Sequence, residues 1–537
     1  MLSFFSATLA AQPVSWQRTY GSDLKDVGNT VIRTSDSGFL IAAYVTDSTG
    51  DIANSGAHPS QNGPLSELWI SRLDKDGDII WKKCYGGSGS EKAGSGGGVL
   101  SPVVTMDFFL KGSMQQTSDG GFIVAATVQC YNSGDGDISG YMGGVTDGWV
   151  FKIDGSGNLQ WQRTLGGAME DGISQVLQTP DGGYLAMGTT FSGTVTGYKG
   201  KGDIFLTKLD SGGNISWQQC LGDSLRFEYG YTIEPLPGGG YIIGAFEEDA
   251  ADMDALVIRT DNNGNQIWAH TYGSSWPDAY TSVKRAIDGN YIMAASVSEG
   301  DGDVAGSGFH GGMQNTDIWV VKLDTAGNIL WKKCFGGSLS EISHKLELAP
   351  DGRIIVFGAT SSDDGDVTGH HPSPFGPAED AWLLQLSASG SLLSQKCFGG
   401  TSYEEFIDGV LLPDGGVAAT GYSTSEDGDL TGLASNNIWL VRTQPLQTTA
   451  VDDPVSGNPL SVYPNPSQET FYIRSGAAEE EMAVVVTDIR GSSVYNATAV
   501  IGGGRQLPVT LSGQPSGVYL LSVTGAGQRY HFRLVKQ

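Results

Sequence analysis

Six tryptophans stand at one place in a recurring phrase: Trp16, Trp81, Trp161, Trp217, Trp268 and Trp331, with Ser394 at the seventh equivalent position. Upstream of five of them runs Asp-x-x-Gly-x-x-x-Trp, as in Asp154, Gly157 and Trp161, or Asp324, Gly327 and Trp331. The copy Ser387, Gly390 and Ser394 keeps the spacing without the signature side chains. The anchors recur roughly every 50 to 80 residues, a period that belongs to solenoids and propellers. Each unit of such an array buries its apolar face only against its neighbours, so the array is one domain however long it grows.

Every unit divides into four short runs rich in β-branched and aromatic residues, with Gly and Asp between them, which predicts strands. The first precedes an Asp-Gly turn, as in residues 31–36. The second follows it, at 39–45, 122–128, 184–190, 241–247, 291–297, 354–360 and 417–423. The third lies at 68–74, 148–154, 204–210, 255–261, 318–324, 381–387 and 438–444, and the fourth carries the Trp. The set is out of phase with the chain ends. It begins with a fourth-type strand around Trp16 and finishes with a third-type strand at 438–444 that has no successor. Laying residues 14–20 beside 438–444 completes the last unit and removes two exposed sheet edges. The expected fold is all-β: a seven-bladed β-propeller over 12–444, closed by its N-terminal strand. Its tight hairpins share one face and its longer loops the other, where binding residues gather on rigid scaffolds.

The repeated Asp, Gly and Trp suit structural work: Asp accepts from turn amides, Gly supplies positive φ, and Trp fills the gap between blades. The phrase resembles the Trp-docking repeats of quinoprotein-like propellers and, more distantly, the Asp-box of sialidases. Both resemblances imply scaffold and not active site.

Residues 445–458 read as a linker. Beyond it the repeat gives way to Val462-Tyr-Pro-Asn-Pro466, an Asp-x-x-Gly centre at Asp488 and Gly491, a Gly517-Val-Tyr strand and the basic ending Phe532-Arg-Leu-Val-Lys-Gln537. Alternating apolar residues predict a small Ig-like β-sandwich over 459–537. In this order the phrases resemble the type A sorting domain of the type IX secretion system. That resemblance implies passage across the outer membrane on the type IX machinery, and a secreted or surface-attached product. Residues 1–11, short, apolar and ending in small residues, fit the back half of a signal peptide. No run is long enough for a transmembrane segment.

The net charge of −28 repels phosphate backbones and argues against nucleic acid as a partner. Cys84, Cys220, Cys334 and Cys397 recur at one repeat position, which suits apolar packing and not pairing; Cys130 is left over. Four long loops contain Asp-Gly-Asp: Asp135 and Asp137, Asp301 and Asp303, Asp364 and Asp366, Asp427 and Asp429. Paired carboxylates around Gly suit Ca²⁺, so these eight are the candidate metal ligands. Asp74, Asp76 and Asp78 begin like an EF-hand, but Tyr85 stands where the bidentate Glu belongs. Glu91, Glu170, Asp171, Glu341, Glu404 and Glu405 add acids on the same face and read as a repeated rim. His58, His310, His370 and His371 fall in long loops without zinc spacing. Arg72, Arg259 and Arg442 share a strand slot with Lys152, Lys208 and Lys322, a structural pattern. No nucleophile elbow, P-loop or metalloprotease motif is present. No catalytic residue is assigned. The expectation is a non-enzymatic propeller binding an extracellular glycan or protein on its long-loop face. The alternatives are a carbohydrate-active hydrolase or lyase with acids at the channel mouth, and a structural surface-layer protein.

Overall fold

The computed structural model describes residues 13–445 and 460–536, except 59–66, 88–89, 93–112, 130–135 and several shorter stretches. The expected signal peptide at 1–11 and residues 446–458 of the expected linker lie outside the described residues. The chain divides into two compact units, 1–447 and 448–537.

In the first unit seven antiparallel sheets follow one another along the chain. The first blade runs, from the inside outwards, Val27–Arg33, Phe39–Val45, Glu67–Leu73 and Ile79–Tyr85. The inner strands of successive blades neighbour one another all the way round, and the seventh abuts the first. Closure is as the phase predicts. Val14–Tyr20 pairs antiparallel with Asn437–Thr443, in a register that sets Trp16 against Arg442 and Tyr20 against Ile438. The core fills the spaces between blades, so Tyr20, Ile438 and Leu440 of the seventh pack with Val31, Ile41 and Trp69 of the first.

Tryptophan links six of the seven outer strands to the next blade. A Cβ on Gly157 would meet the Trp81 ring at 2.9 Å, one on Gly213 would meet Trp161 at 2.6 Å, and one on Gly390 would meet Trp331 at 2.7 Å. All three glycines hold positive φ, so the turn needs Gly both for its backbone and for the ring laid on it. Ser394 sits on the outer strand of the sixth blade. The third and fourth strands of the seventh blade come from opposite ends of the chain, so no Asp-x-x-Gly hairpin exists there for a Trp to dock on. Ser394 is buried instead and bonds Gln385 at 3.3 Å.

Each inner strand is a sheet edge with free N–H groups, and side chains from the preceding blade occupy them. Ser113 Oγ accepts from Val176 N (2.9 Å), Gln175 Oε1 from Ile233 N (2.7 Å), Thr232 Oγ1 from Val283 N (3.2 Å), and Asp408 Oδ2 from Val31 N (3.0 Å). Most inner strands also carry a bulge at one level, between Gly28 and Thr30, Ile173 and Gln175, Gly230 and Thr232, Ser343 and Lys345, and Phe406 and Asp408. In the second blade the inner strand is split at that level into Ser90–Lys92 and Ser113–Gln116, both paired with Phe122–Gln129. Residues 93–112, expected within a crossover between blades, are therefore an insertion within a strand.

The second unit has one sheet of three strands, centred on Thr470–Ser475, and one of four, centred on Glu480–Asp488 and Gly517–Gly525. Phe471, Ile473 and Val509 of the first share a core with Val484, Leu521 and Val523 of the second, which makes a sandwich. Immunoglobulin kinship is not read from this strand order.

Candidate functional site

The tight hairpins hold no chemistry. Asp154 Oδ1 accepts from Ser156 N and Asn158 N, both at 2.8 Å, and the other Asp-x-x-Gly turns repeat this. The shared Lys/Arg slot ties the third strand to the turn between the first two. Lys152 reaches Asp119 (3.0 Å), Lys208 reaches Asp181 (2.9 Å), Lys322 reaches Asp288 (2.6 Å) and Arg442 reaches Asp414 (2.9 Å). The Thr179 hydroxyl and the Lys208 ammonium hold Asp181 down to about 2. Cys84, Cys220, Cys334 and Cys397 are free and buried; Cys130 lies outside the described residues.

On the opposite face the repeated acids turn inward. Asp171 and Glu341, expected on an exposed rim, are fully buried, as are Glu404 and their equivalent Asp278. Each accepts from the backbone of the preceding crossover: Gly167 N to Asp171 (2.6 Å), Ser274 N to Asp278 (2.6 Å), Gly337 N to Glu341 (3.0 Å), Gly400 N to Glu404 (2.8 Å). A second buried acid stands at the start of five third strands, Glu67, Asp147, Asp203, Asp317 and Asp380, and Asp203 lies beside Glu228 and Asp380 beside Glu404 across the same crossover. A Cβ on Gly222 would meet Glu228 Oε2 at 2.5 Å and Asp203 Oδ1 at 2.7 Å, so glycine leaves the room both carboxyls occupy. Burial pushes these acids up, Glu228 to about 8, Asp278 and Glu341 to about 7, and Asp203 and Asp380 to about 6. Side chains at Glu91 are outside the described set. Glu405 is nearly buried against His344.

The Asp-Gly-Asp loops brace these crossovers. The first Asp accepts from a crossover amide: Asp301 from Ser275 N (2.8 Å), Asp364 from Ser338 N (2.7 Å), Asp427 from Thr401 N (2.8 Å). The backbone N–H of the second Asp reaches a crossover glycine: Asp137 to Gly86 O (2.8 Å), Asp303 to Gly273 O (2.9 Å), Asp366 to Gly336 O (2.8 Å), Asp429 to Gly399 O (2.9 Å). Asp135 lies outside the described residues. Among the described residues no three His, Cys, Asp or Glu side chains are grouped to hold a metal ion. The loop histidines serve the buried acids: His58 Nδ1 meets Glu67 (3.3 Å), His310 Nδ1 meets Asp317 (3.1 Å) and His371 Nδ1 meets Asp380 (2.8 Å).

Between the Gly that opens each crossover and its buried acid stands a residue that the acid pattern masked. Leu24, Met169, Leu225, Trp276, Leu339 and Tyr403 occupy this segment in six crossovers, and they range from 36% exposed at Leu339 to 71% at Leu225. The spacing Gly-x-x-apolar-x-acid is legible at Leu24, Met169, Trp276 and Leu339. Sequence reasoning passed over it because attention went to the acids.

The channel is divided at its waist. Tyr231, on the inner strand of the fourth blade, extends its hydroxyl to within 3.5 Å of His344 O on the sixth. The Tyr280 ring from the fifth packs edge-on to His344 at 4.9 Å, and Tyr280 holds φ of 60°, an uncommon state for a large side chain. On the hairpin-turn side of this waist lies a cavity of about 500 Å³, lined by all seven inner strands.

Residues 461–537 match the family described as the secretion system C-terminal sorting domain. The chain is thus cargo for type IX secretion, and no helix among the described residues is long and apolar enough to cross a membrane. No curated protein matches the chain. Among solved structures it is similar to a Dyadobacter fermentans protein of unknown function (10% identity, 81% of this chain and 99% of that one, TM-score 0.39). It is also similar to a Synechocystis apocarotenoid oxygenase (11% identity, 93% and 95%, TM-score 0.31) and to YCF48 bound to D1 peptide (9% identity, 81% and 100%, TM-score 0.33). Likenesses this distant say nothing of ligand or activity.

Proposed function

We propose that this exported chain is a non-enzymatic binding propeller whose long-loop face docks a protein partner. The observation that carries the reading is the crown of Leu24, Met169, Leu225, Trp276, Leu339 and Tyr403, exposed at matching places around one face. Large apolar side chains left in water at regular intervals mark interaction surfaces, since covering them releases about 25 cal/mol per Å². Trp and Tyr are the types that anchor interfaces. Asp301, Asp364 and Asp427 stand among the crossovers and give the rim a negative sign, which suits a partner with basic residues around an apolar centre.

Cross-linking on intact cells tests this, comparing the wild type with a Leu225→Ser, Trp276→Ser, Leu339→Ser triple variant. The expected outcome is one extracellular partner cross-linked to the crossovers of the wild type and lost from the variant, with the melting temperature unchanged. Cross-links indifferent to the three changes, or turnover of a chromogenic glycoside, would sink the proposal in favour of a different surface or a hydrolase.

A further inference from the structure

The cavity on the hairpin-turn side of the channel lies away from the crown and takes no part in the docking proposed above. Its floor is Tyr231 and its mouth is ringed by the ends of the inner strands, near Gln115 and Gln178. At about 500 Å³ it falls within the size range of small-molecule sites.

Its charge is balanced internally. Lys345 Nζ lies 2.6 Å from Asp408 Oδ1, and Lys284 Nζ lies 3.0 Å from Glu347 Oε2. Glu234 and Arg285 bring the wall to equal numbers of acids and bases, and the backbone N–H of Arg285 donates to Glu234 Oε1 at 3.4 Å. A charged guest seated on Lys345 and Asp408 or on Lys284 and Glu347 would have to break that pair, leaving a charge without its partner, which costs several kcal/mol. A purely apolar guest would strip water from the same groups and return no hydrogen bonds.

Three glutamines on the wall have their amide oxygens held by backbone N–H groups. Gln115 Oε1 accepts from Gln178 N (2.5 Å), Gln178 Oε1 from Ser118 N (2.9 Å) and Gln175 Oε1 from Ile233 N (2.7 Å). Fixing each amide oxygen on the backbone also fixes its NH₂ group, which is left to donate to a guest. The carboxylates of Glu234, Glu347 and Asp408 accept, and Val176, Val283 and Leu348 offer short apolar patches between them. A guest that both gives and takes hydrogen bonds, carries no charge and shows C–H faces is a polyhydroxylated one. We infer that this end of the channel is a binding site for an uncharged saccharide, admitted from the hairpin-turn face.

Isothermal titration of the full chain tests the assignment, using di- to tetrasaccharides of glucose, mannose, galactose and xylose, with glucuronic acid and sialylated oligosaccharides as charged counterparts. At least one neutral series is expected to bind, and to bind at least tenfold more tightly than any charged one. Gln115 is exposed at the mouth, so Gln115→Trp should weaken that binding at least tenfold while the melt is kept. Gln115→Cys in a Cys130→Ser background, capped with a bulky maleimide after folding, repeats the block on a native protein, since Cys84, Cys220, Cys334 and Cys397 are buried. The crown variant should bind the saccharide unchanged, which separates this site from the docking face. Silence from every neutral series, preference for a charged one, or unaltered affinity in both blocked proteins would overturn it.

Discussion

Glu228, Asp278 and Glu341 hold their protons well above the usual carboxylate range because the crossovers bury them, and that couples folding to pH. In an unfolded chain these groups ionise near pH 4. In the folded ring they release a proton only at about 7 or 8, so between these limits the folded state binds more protons and stability falls as pH rises. Asp181 works in the opposite sense, but its contribution is lost only below the unfolded value. Scanning calorimetry at constant ionic strength should therefore find a higher melting temperature at pH 5 than at pH 8. Glu341→Gln, which keeps the shape without the charge, should shrink that difference. A flat or rising profile would contradict the burial argument. The repetition of these acids was legible in the sequence; their direction was not. Glu170 and Asp171 are adjacent, and Asp171 is the one held inward, by Gly167 N, Thr190 and Ser192, in room that Gly166 leaves by having no Cβ.

At the scale of the strand, the ring depends on a single seam. Val14–Tyr20 supplies the outer edge of the seventh blade, Gln17 Oε1 accepts from Trp439 Nε1 (3.3 Å), and Gln444 N reaches Pro13 O (2.8 Å). Deleting residues 13–20 removes seven residues of ladder and uncovers Asn437–Thr443. The expected loss exceeds about 4 kcal/mol, well beyond an ordinary terminal truncation. A melt equal to that of the whole chain would show that the seam carries no load. Period and phase exposed this closure in the sequence because strands alternate and hairpins announce themselves. The loss of Trp at Ser394 looked like decay of the repeat, and its cause needed the topology: the blade it faces has no hairpin to receive an indole. The split of the second blade's inner strand into Ser90–Lys92 and Ser113–Gln116 was likewise invisible, because pairing with Phe122–Gln129 and not composition joins the two pieces.

For the whole molecule, the tail at 461–537 separates destination from ligand. Removing it should leave a propeller that melts normally but accumulates in the periplasm, and grafting it onto an unrelated exported protein should carry that protein out; cell fractionation reads both. Retention of the grafted protein would refute the assignment. Fold and address could be read from one chain because each repeats or ends in fixed phrases. The crown could be read only as a spacing at four of its positions and the cavity not at all, since they arise from residues of six or seven blades that meet only after closure. The seam has one more consequence, and it concerns incomplete chains. The strand that closes the ring precedes every other strand of the propeller and pairs with a partner that emerges just before the tail. A message cut short anywhere before residue 437 yields a chain lacking both the closing partner and the export signal. Closure and export thus both depend on the same late stretch of chain, and a ring left open by C-terminal truncation carries no sorting tail.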